Sequence, residues 1–228
     1  MVQAVTDGVL RNIGVMAPGA AVDHASEVLA PLPNVAIGLH VTLNSEWDEV
    51  RWGPVLSASE VPTLVEADGT FTRSPQVLHD RGFSLDEAMA EVAAQLERLR
   101  SVGLRVDYLD EHMGVGWLSG LGDRLRDFAR QEGLVYAGDF KYAGGYQSQD
   151  LESVVRAVLD GPMSPFAIVF HPLPNVDPVA RRFTAGGRMP GEILRERAQD
   201  RRVLTDPRLM ELVRSGQVES ITYVEAAG

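Results

Sequence analysis

The chain has 228 residues, of which 45% are hydrophobic and 23% charged. This composition is typical of a folded globular protein and excludes an intrinsically disordered one. Its formal net charge of −11 argues against nucleic acid and an anionic membrane surface as partners. The chain contains no cysteine, which excludes disulfides, thiolate metal ligands and a cysteine nucleophile. No run approaches the ~18 apolar residues of a membrane span, and the first residues do not resemble a signal peptide. We therefore expect a soluble cytoplasmic protein.

Short apolar runs alternate with amphipathic stretches along the chain, which predicts an α/β fold with a parallel sheet. Strands are predicted at 11–16, 35–40, 105–110, 134–137, 165–170 and 219–224. Helices are predicted at about 20–29, 84–103, 121–131, 150–159, 188–202 and 206–216. A stretch at about 44–83, rich in proline, glycine and acidic residues, is expected to be a functional insertion with some structure of its own. No repeat or linker divides the chain, so a single domain over 1–228 is predicted.

Three of the five histidines lie at the carboxyl ends of predicted strands or within two residues after them. They are His40, His112 and His171. In barrels and open α/β sheets, residues at the carboxyl ends of strands line the cleft where chemistry takes place. The pattern therefore predicts a metal-assisted or acid–base hydrolase.

The segment containing Asp110, Glu111 and His112 offers three candidate ligands for a divalent cation. On an extended backbone Asp110 and His112 would face the same side and Glu111 the other. The alternative is a turn with a solvated histidine. For His40 and His171 the alternative is a hydrogen-bonded histidine at a strand end. The three histidines together favour the functional interpretation.

Several short motifs, in order along the chain, resemble the YdjC-like carbohydrate deacetylases, a family that includes the chitooligosaccharide deacetylases. The motifs are GLHVTL at 38–43, VPTLV at 61–65 with DGTF at 68–71, LDEH at 109–112, FHP at 170–172 and the closing segment 218–225. The resemblance extends over almost the whole chain.

The resemblance implies a distorted (β/α) TIM-like barrel that removes the acetyl group from N-acetylated sugars or oligosaccharides with a divalent metal cation, zinc or magnesium. In this family an aspartate and two histidines hold the metal, and His40 and His112 match the two histidines. His171 matches the histidine of the His-Pro motif, which implies a proton-donor role. Asp110 matches the aspartate that precedes the second metal-binding histidine, and it is expected to orient that histidine.

The chain departs from the family pattern because it contains no Asp-Asp pair, which supplies the third metal ligand and the catalytic base in the family. The first eight residues resemble the helix that follows that pair. We therefore expect the first strand and the third protein ligand to be absent and activity to be impaired. Such a gap would leave an apolar edge that a homodimer could cover.

Two other functions remain open. The chain could be a non-catalytic descendant that binds carbohydrate or has a structural role. It could also be a metal hydrolase for another substrate, because a fold does not determine the substrate.

Overall fold

The computed structural model of the chain describes residues 2–143, 150–161, 164–173, 182–189 and 191–228. The strands of the main sheet, in spatial order, are Asn12–Val15 (β1), Ala36–Val41 (β2), Tyr108–Glu111 (β3) and Val135–Tyr136 (β4). A second, two-stranded sheet pairs Lys141–Tyr142 (β5) with Phe166–Ala167 (β6). Every pairing between these strands is parallel. The predicted parallel α/β architecture is therefore confirmed.

Helices connect and cover the strands. They are Val2–Thr6 (α1), Val22–Leu29 (α2), Pro75–Arg81 (α3), Leu85–Ser101 (α4), Leu121–Glu132 (α5), Leu151–Leu159 (α6), Glu192–Leu204 (α7), Pro207–Arg214 (α8) and Tyr223–Ala227 (α9). Short 3-10 turns span His112–Trp117 and Ala137–Asp139. Within the described ranges, no helix has the length and apolar content needed to cross a membrane.

The β2 strand lies in the middle of the sheet and is almost entirely buried. Five of its six residues are buried, and His40 is the half-buried exception. Such a continuous apolar run is typical of a parallel strand covered on both faces. In the register of the sheet His40 lies opposite Asp110 of β3. The sheet thus brings together two residues that are 70 positions apart in the sequence.

The stretch 44–83 packs into the same hydrophobic core as the sheet. Val61, Leu64 and Phe71 are fully buried there. This stretch contains α3 and one antiparallel bridge between Val65 and Phe71. The Arg51 guanidinium donates hydrogen bonds to the carbonyls of Ser45 and Phe71, which links the beginning of the stretch to the later segment that contains Phe71.

The predicted strand 219–224 is wrong, because the chain instead enters α9 at its N-cap, Thr222. Thr222 and Glu225 form a reciprocal capping box that starts the helix. The side chain of Asn12 also bonds the Ile221 carbonyl at 3.1 Å and the Tyr223 amide at 2.8 Å, using groups that a strand would need for pairing. Among the described residues β1 consequently has β2 as its strand partner on one side and no strand on the other.

The strands predicted at 11–16, 105–110, 134–137 and 165–170 are all shorter than expected. The run 165–170 forms a strand only at Phe166–Ala167, so His171 lies on irregular chain four residues later. The strand expected at 105–110 begins at Tyr108 and extends to Glu111.

Candidate active site

His40 and Asp110 form the first part of a polar centre at the carboxyl end of the main sheet. Their side chains are about one-fifth exposed, and His40 Nδ1 lies 2.9 Å from Asp110 Oδ1. The expectation that Asp110 orients His112 is wrong, because the hydrogen bond goes to His40. The reason is the sheet register, which places Asp110 directly beside His40.

His112 lies directly after β3, as the first residue of the 3-10 turn His112–Trp117. Its Nδ1 lies 3.3 Å from His40 Nε2, and its Nε2 lies 2.9 Å from Glu46 Oε2. The two imidazole rings meet edge to face, with centroids 5.3 Å apart. The result is a chain of four side chains in which a carboxylate lies at each end and two imidazoles lie between them.

The two carboxylates determine where the ring protons lie when both imidazoles are neutral. A carboxylate can only accept a hydrogen bond, so His40 carries its proton on Nδ1 and donates to Asp110, and His112 carries its proton on Nε2 and donates to Glu46. The nitrogens that face each other, His40 Nε2 and His112 Nδ1, then both carry lone pairs. Two lone pairs 3.3 Å apart repel each other unless a proton or a cation lies between them.

The separation of these nitrogens suits one shared metal ion. Two nitrogens bound to zinc at tetrahedral angles, each at about 2.0–2.1 Å, lie roughly 3.3–3.4 Å apart. Within the described residues no group of three or more His, Cys, Asp or Glu side chains is arranged to hold a metal. The structure therefore brings together the two predicted histidine ligands without a third protein ligand from the described part of the chain.

The charges around His40 favour a cation. Burial by itself lowers the pKa of His40, but the charge and the hydrogen bond of Asp110, with the charges of Glu46 and Glu111, outweigh it and raise the pKa. The same negative groups that stabilise a protonated imidazole would stabilise a divalent ion at this position.

Glu111 faces away from His40 and holds the turn that carries His112. Its carboxylate accepts hydrogen bonds from the Gly116 amide, at 2.7 Å, and from the Tyr136 hydroxyl. Burial, followed by this bond to Glu111, raises the pKa of Tyr136. A side chain on Gly116 would overlap the Glu111 carboxylate, which would have to move away from its partners. Both His112 and Asp110 contact His40, which agrees with the alternation predicted for an extended segment.

His171 is half-buried and is held by α7. Its backbone amide donates to Asp200 Oδ2 at 2.8 Å, and the amide of Leu173 donates to the Arg197 carbonyl. Burial, and then the positive charges of Arg197, His40 and His112, lower the pKa of His171 to about 3. His171 is therefore neutral at neutral pH, and it must first gain a proton before it can donate one.

Two residues of the centre do not follow from the sequence analysis. Glu46 comes from the irregular stretch 44–83, where nothing in the local pattern distinguishes it from the other acidic residues. Gly14 of β1 lies beside the first pair, since a Cβ there would be 3.1 Å from both Asp110 carboxylate oxygens and 3.3 Å from His40 Nδ1. A glycine within a strand can mark such a close approach, so the sequence alone could have indicated that another group lies against Gly14.

Known proteins resemble this chain in sequence and in fold. A family model described as YdjC-like protein matches residues 1–139. A carbohydrate deacetylase of Geobacillus stearothermophilus is 27% identical over 99% of this chain and 90% of its own length. A carbohydrate deacetylase of Vibrio vulnificus is 31% identical over 49% of this chain and 41% of its own length.

A solved structure extends the comparison to the fold. It is an Enterococcus faecalis protein named for a proposed role in cellobiose-phosphate cleavage. It superposes with a TM-score of 0.78 at 19% identity, covering 98% of this chain and 90% of the other. This likeness confirms the predicted fold class, an α/β fold of the distorted TIM-like barrel type.

Proposed function

The chain belongs to the YdjC-like family, as its motifs predict, and we propose that it is a carbohydrate deacetylase that uses a divalent cation, zinc or magnesium. Its substrate would be an N-acetylated sugar or oligosaccharide, whose acetamide it hydrolyses to acetate and a free amine. The observation that carries the proposal is the pair of facing imidazole nitrogens, 3.3 Å apart, between two carboxylates.

His40 Nε2 and His112 Nδ1 are the atoms that would hold the cation. When bound, a divalent cation polarises the acetyl carbonyl and lowers the pKa of a coordinated water. Asp110 orients His40 through Nδ1, and the buried run of β2 fixes the backbone of His40. These supports keep the lone pair of His40 directed at His112.

His171 would carry the proton during hydrolysis. Because its pKa is lowered to about 3, His171 is a neutral but weakly basic imidazole at neutral pH. It would accept the proton of the attacking water as the bond from the water oxygen to the carbonyl carbon forms, since that bond makes the proton strongly acidic. As the C–N bond breaks, the same proton passes to the departing amine nitrogen, and His171 is neutral again. The carbonyl carbon keeps the oxygen of the water and leaves as acetate.

A second candidate function is carbohydrate binding without catalysis, and the small number of protein ligands available to a metal favours it. Catalytic zinc sites usually have three protein ligands, and the described residues supply two converging nitrogens. We accordingly propose that the activity of these 228 residues is low compared with that of a site with three ligands. The same cleft could retain sugar binding when turnover is lost.

Acetate release from N-acetylglucosamine oligomers, measured with added zinc or magnesium, separates the two functions. We expect slow, metal-dependent release that His40→Ala and His112→Ala abolish. His24→Ala is the matched control, because the side chain of His24 is 77% exposed and its carboxylate contact is an exposed one with Glu27. Oligomer binding with no acetate release at any metal concentration would instead establish the non-catalytic function.

A further inference from the structure

We propose that Glu46 is a positioning residue that fixes the His112 tautomer and thereby keeps the His40–His112 pair open to a cation. The role of the cation rests on the proposed function. The tautomer is a property of the chain itself and can be measured without any metal.

The contact between Glu46 and His112 is direct and shielded from water. Glu46 Oε2 lies 2.9 Å from His112 Nε2, and the two side chains are only 16% and 13% exposed. A carboxylate has no proton to donate, so the bond requires a proton on His112 Nε2 and leaves the lone pair on Nδ1. Glu46 thus acts on His112 as Asp110 acts on His40.

The other tautomer of His112 would close the site. With the proton on Nδ1, His112 would donate to the lone pair of His40 Nε2 across the same 3.3 Å. That arrangement satisfies both rings with a hydrogen bond and leaves no converging lone pairs for a cation. Glu46 disfavours it, because an unprotonated Nε2 would place a lone pair against a carboxylate oxygen.

The backbone on both sides of Glu46 is fixed, so the carboxylate is held in place. Before it, the Ser45 amide donates to the Thr72 carbonyl at 2.8 Å. After it, Trp47 stacks flat on Phe183, with ring centroids 4.9 Å apart and planes 4° apart. These contacts tie the Glu46 backbone to two distant parts of the chain.

The segment 182–184 forms two further contacts next to this stack. The Asp48 amide donates to the Thr184 carbonyl at 2.7 Å, and Arg182 pairs with Glu49 at 3.1 Å. The second contact is exposed, and it does not touch His112. Glu49 is therefore a suitable control position for Glu46.

The test uses the full chain and two substitutions of Glu46. Nitrogen-15 NMR of the imidazoles, in metal-free protein at a pH where the rings are neutral, reports which nitrogen of His112 is protonated. We expect the Nε2–H form in the unsubstituted chain and a shift to Nδ1–H in Glu46→Ala. Glu46→Gln should retain the Nε2–H form in large part, because its amide oxygen still accepts the bond.

Zinc affinity, measured by calorimetry on the same proteins, provides the second readout. Loss of a carboxylate behind a metal-binding histidine typically weakens binding about 10–100-fold. We expect that loss in Glu46→Ala, a smaller one in Glu46→Gln, and no change in Glu49→Ala, the exposed neighbour.

Two results would overturn the inference. One is the Nδ1–H form in the unsubstituted chain, which needs no variant to observe. The other is an unchanged tautomer and unchanged zinc affinity in Glu46→Ala. If the unsubstituted chain binds no divalent cation, the proposed function fails, and the NMR result still decides the role of Glu46.

Discussion

His40 and Asp110 are opposite each other in the parallel register of β2 and β3, and a 2.9 Å hydrogen bond joins their side chains. The backbone pairing and the side-chain pairing therefore support each other. A shift of the register by one residue would turn His40 to the opposite face of β2 and separate the two side chains. The geometry of this half of the site is consequently tied to the stability of the sheet.

Replacing Asp110 by asparagine should make the stability of the protein less dependent on protonated His40. The Asp110 carboxylate helps to raise the pKa of His40 in the folded protein above its value of about 6.5 in the unfolded chain. The stability that protonated His40 contributes is therefore fully present below about pH 6.5, and it is lost as pH rises through the folded-state pKa. We expect Asp110→Asn to lower the free energy of unfolding by about 1–3 kcal/mol at pH 5 and by less at pH 9. Urea unfolding at both pH values measures the difference.

The exposed Asp123→Asn is the control for this experiment, because the Asp123 side chain is 90% exposed. It should leave the free energy of unfolding nearly unchanged at both pH values. An equal loss at pH 5 and pH 9 in Asp110→Asn would contradict the predicted coupling to His40.

Gly14→Ala should damage the site while leaving most of the fold intact. The new methyl group would lie 3.1 Å from both Asp110 oxygens and 3.3 Å from His40 Nδ1, which is closer than ordinary van der Waals contact. The carboxylate must move, so we expect weaker zinc binding in calorimetry together with a nearly unchanged melting temperature.

Gly38→Ala should instead destabilise the fold, although Gly38 of β2 pairs directly with Gly14 of β1. Its methyl group would overlap the ring of Tyr108, which is 1% exposed and cannot move aside. Overpacking of this kind typically costs about 1–3 kcal/mol. The melting temperature should therefore fall clearly in Gly38→Ala, and equal falls in both glycine variants would refute the assignment of Gly14 to the site.

His171 should make the protein less stable in acid. Its pKa is about 3 in the folded protein, against about 6.5 when unfolded, so the unfolded chain binds the extra proton. Stability attributable to His171 is thus complete above about pH 6.5 and is lost as pH falls towards 3. In His171→Gln the decline between pH 7 and pH 4 should be shallower than in the unsubstituted chain. Parallel curves from chemical unfolding across that range would disprove the shifted pKa.

Tyr136→Phe should loosen the turn that carries His112. The Tyr136 hydroxyl donates to the Glu111 carboxylate, which also holds the Gly116 amide. A lost bond to a charged group costs about 1.5–3 kcal/mol. We expect that decrease in the free energy of unfolding, with weaker zinc binding because His112 is less well placed. Unchanged values for both would show that the Gly116 amide alone fixes the turn.

Much of the fold could be predicted because local patterns carry it. The buried run of β2, the Ser84 cap before α4 and the proline at the start of α8 are readable from neighbouring residues, and each appears in the structure. The prediction failed at 219–224, where the side chain of the distant Asn12 takes the backbone groups that a strand would use.

The sequence by itself determined the family, the parallel α/β class and the two histidines at the ends of β2 and β3, because motifs and hydrophobic periodicity depend on residues that are near one another in the chain. Only the tertiary structure decided which carboxylate serves which imidazole. Asp110 bonds His40 and Glu46 bonds His112, across 70 and 66 positions. Hydrogen bonds over such separations depend on sheet register and loop packing, and therefore no local pattern in the sequence contains them.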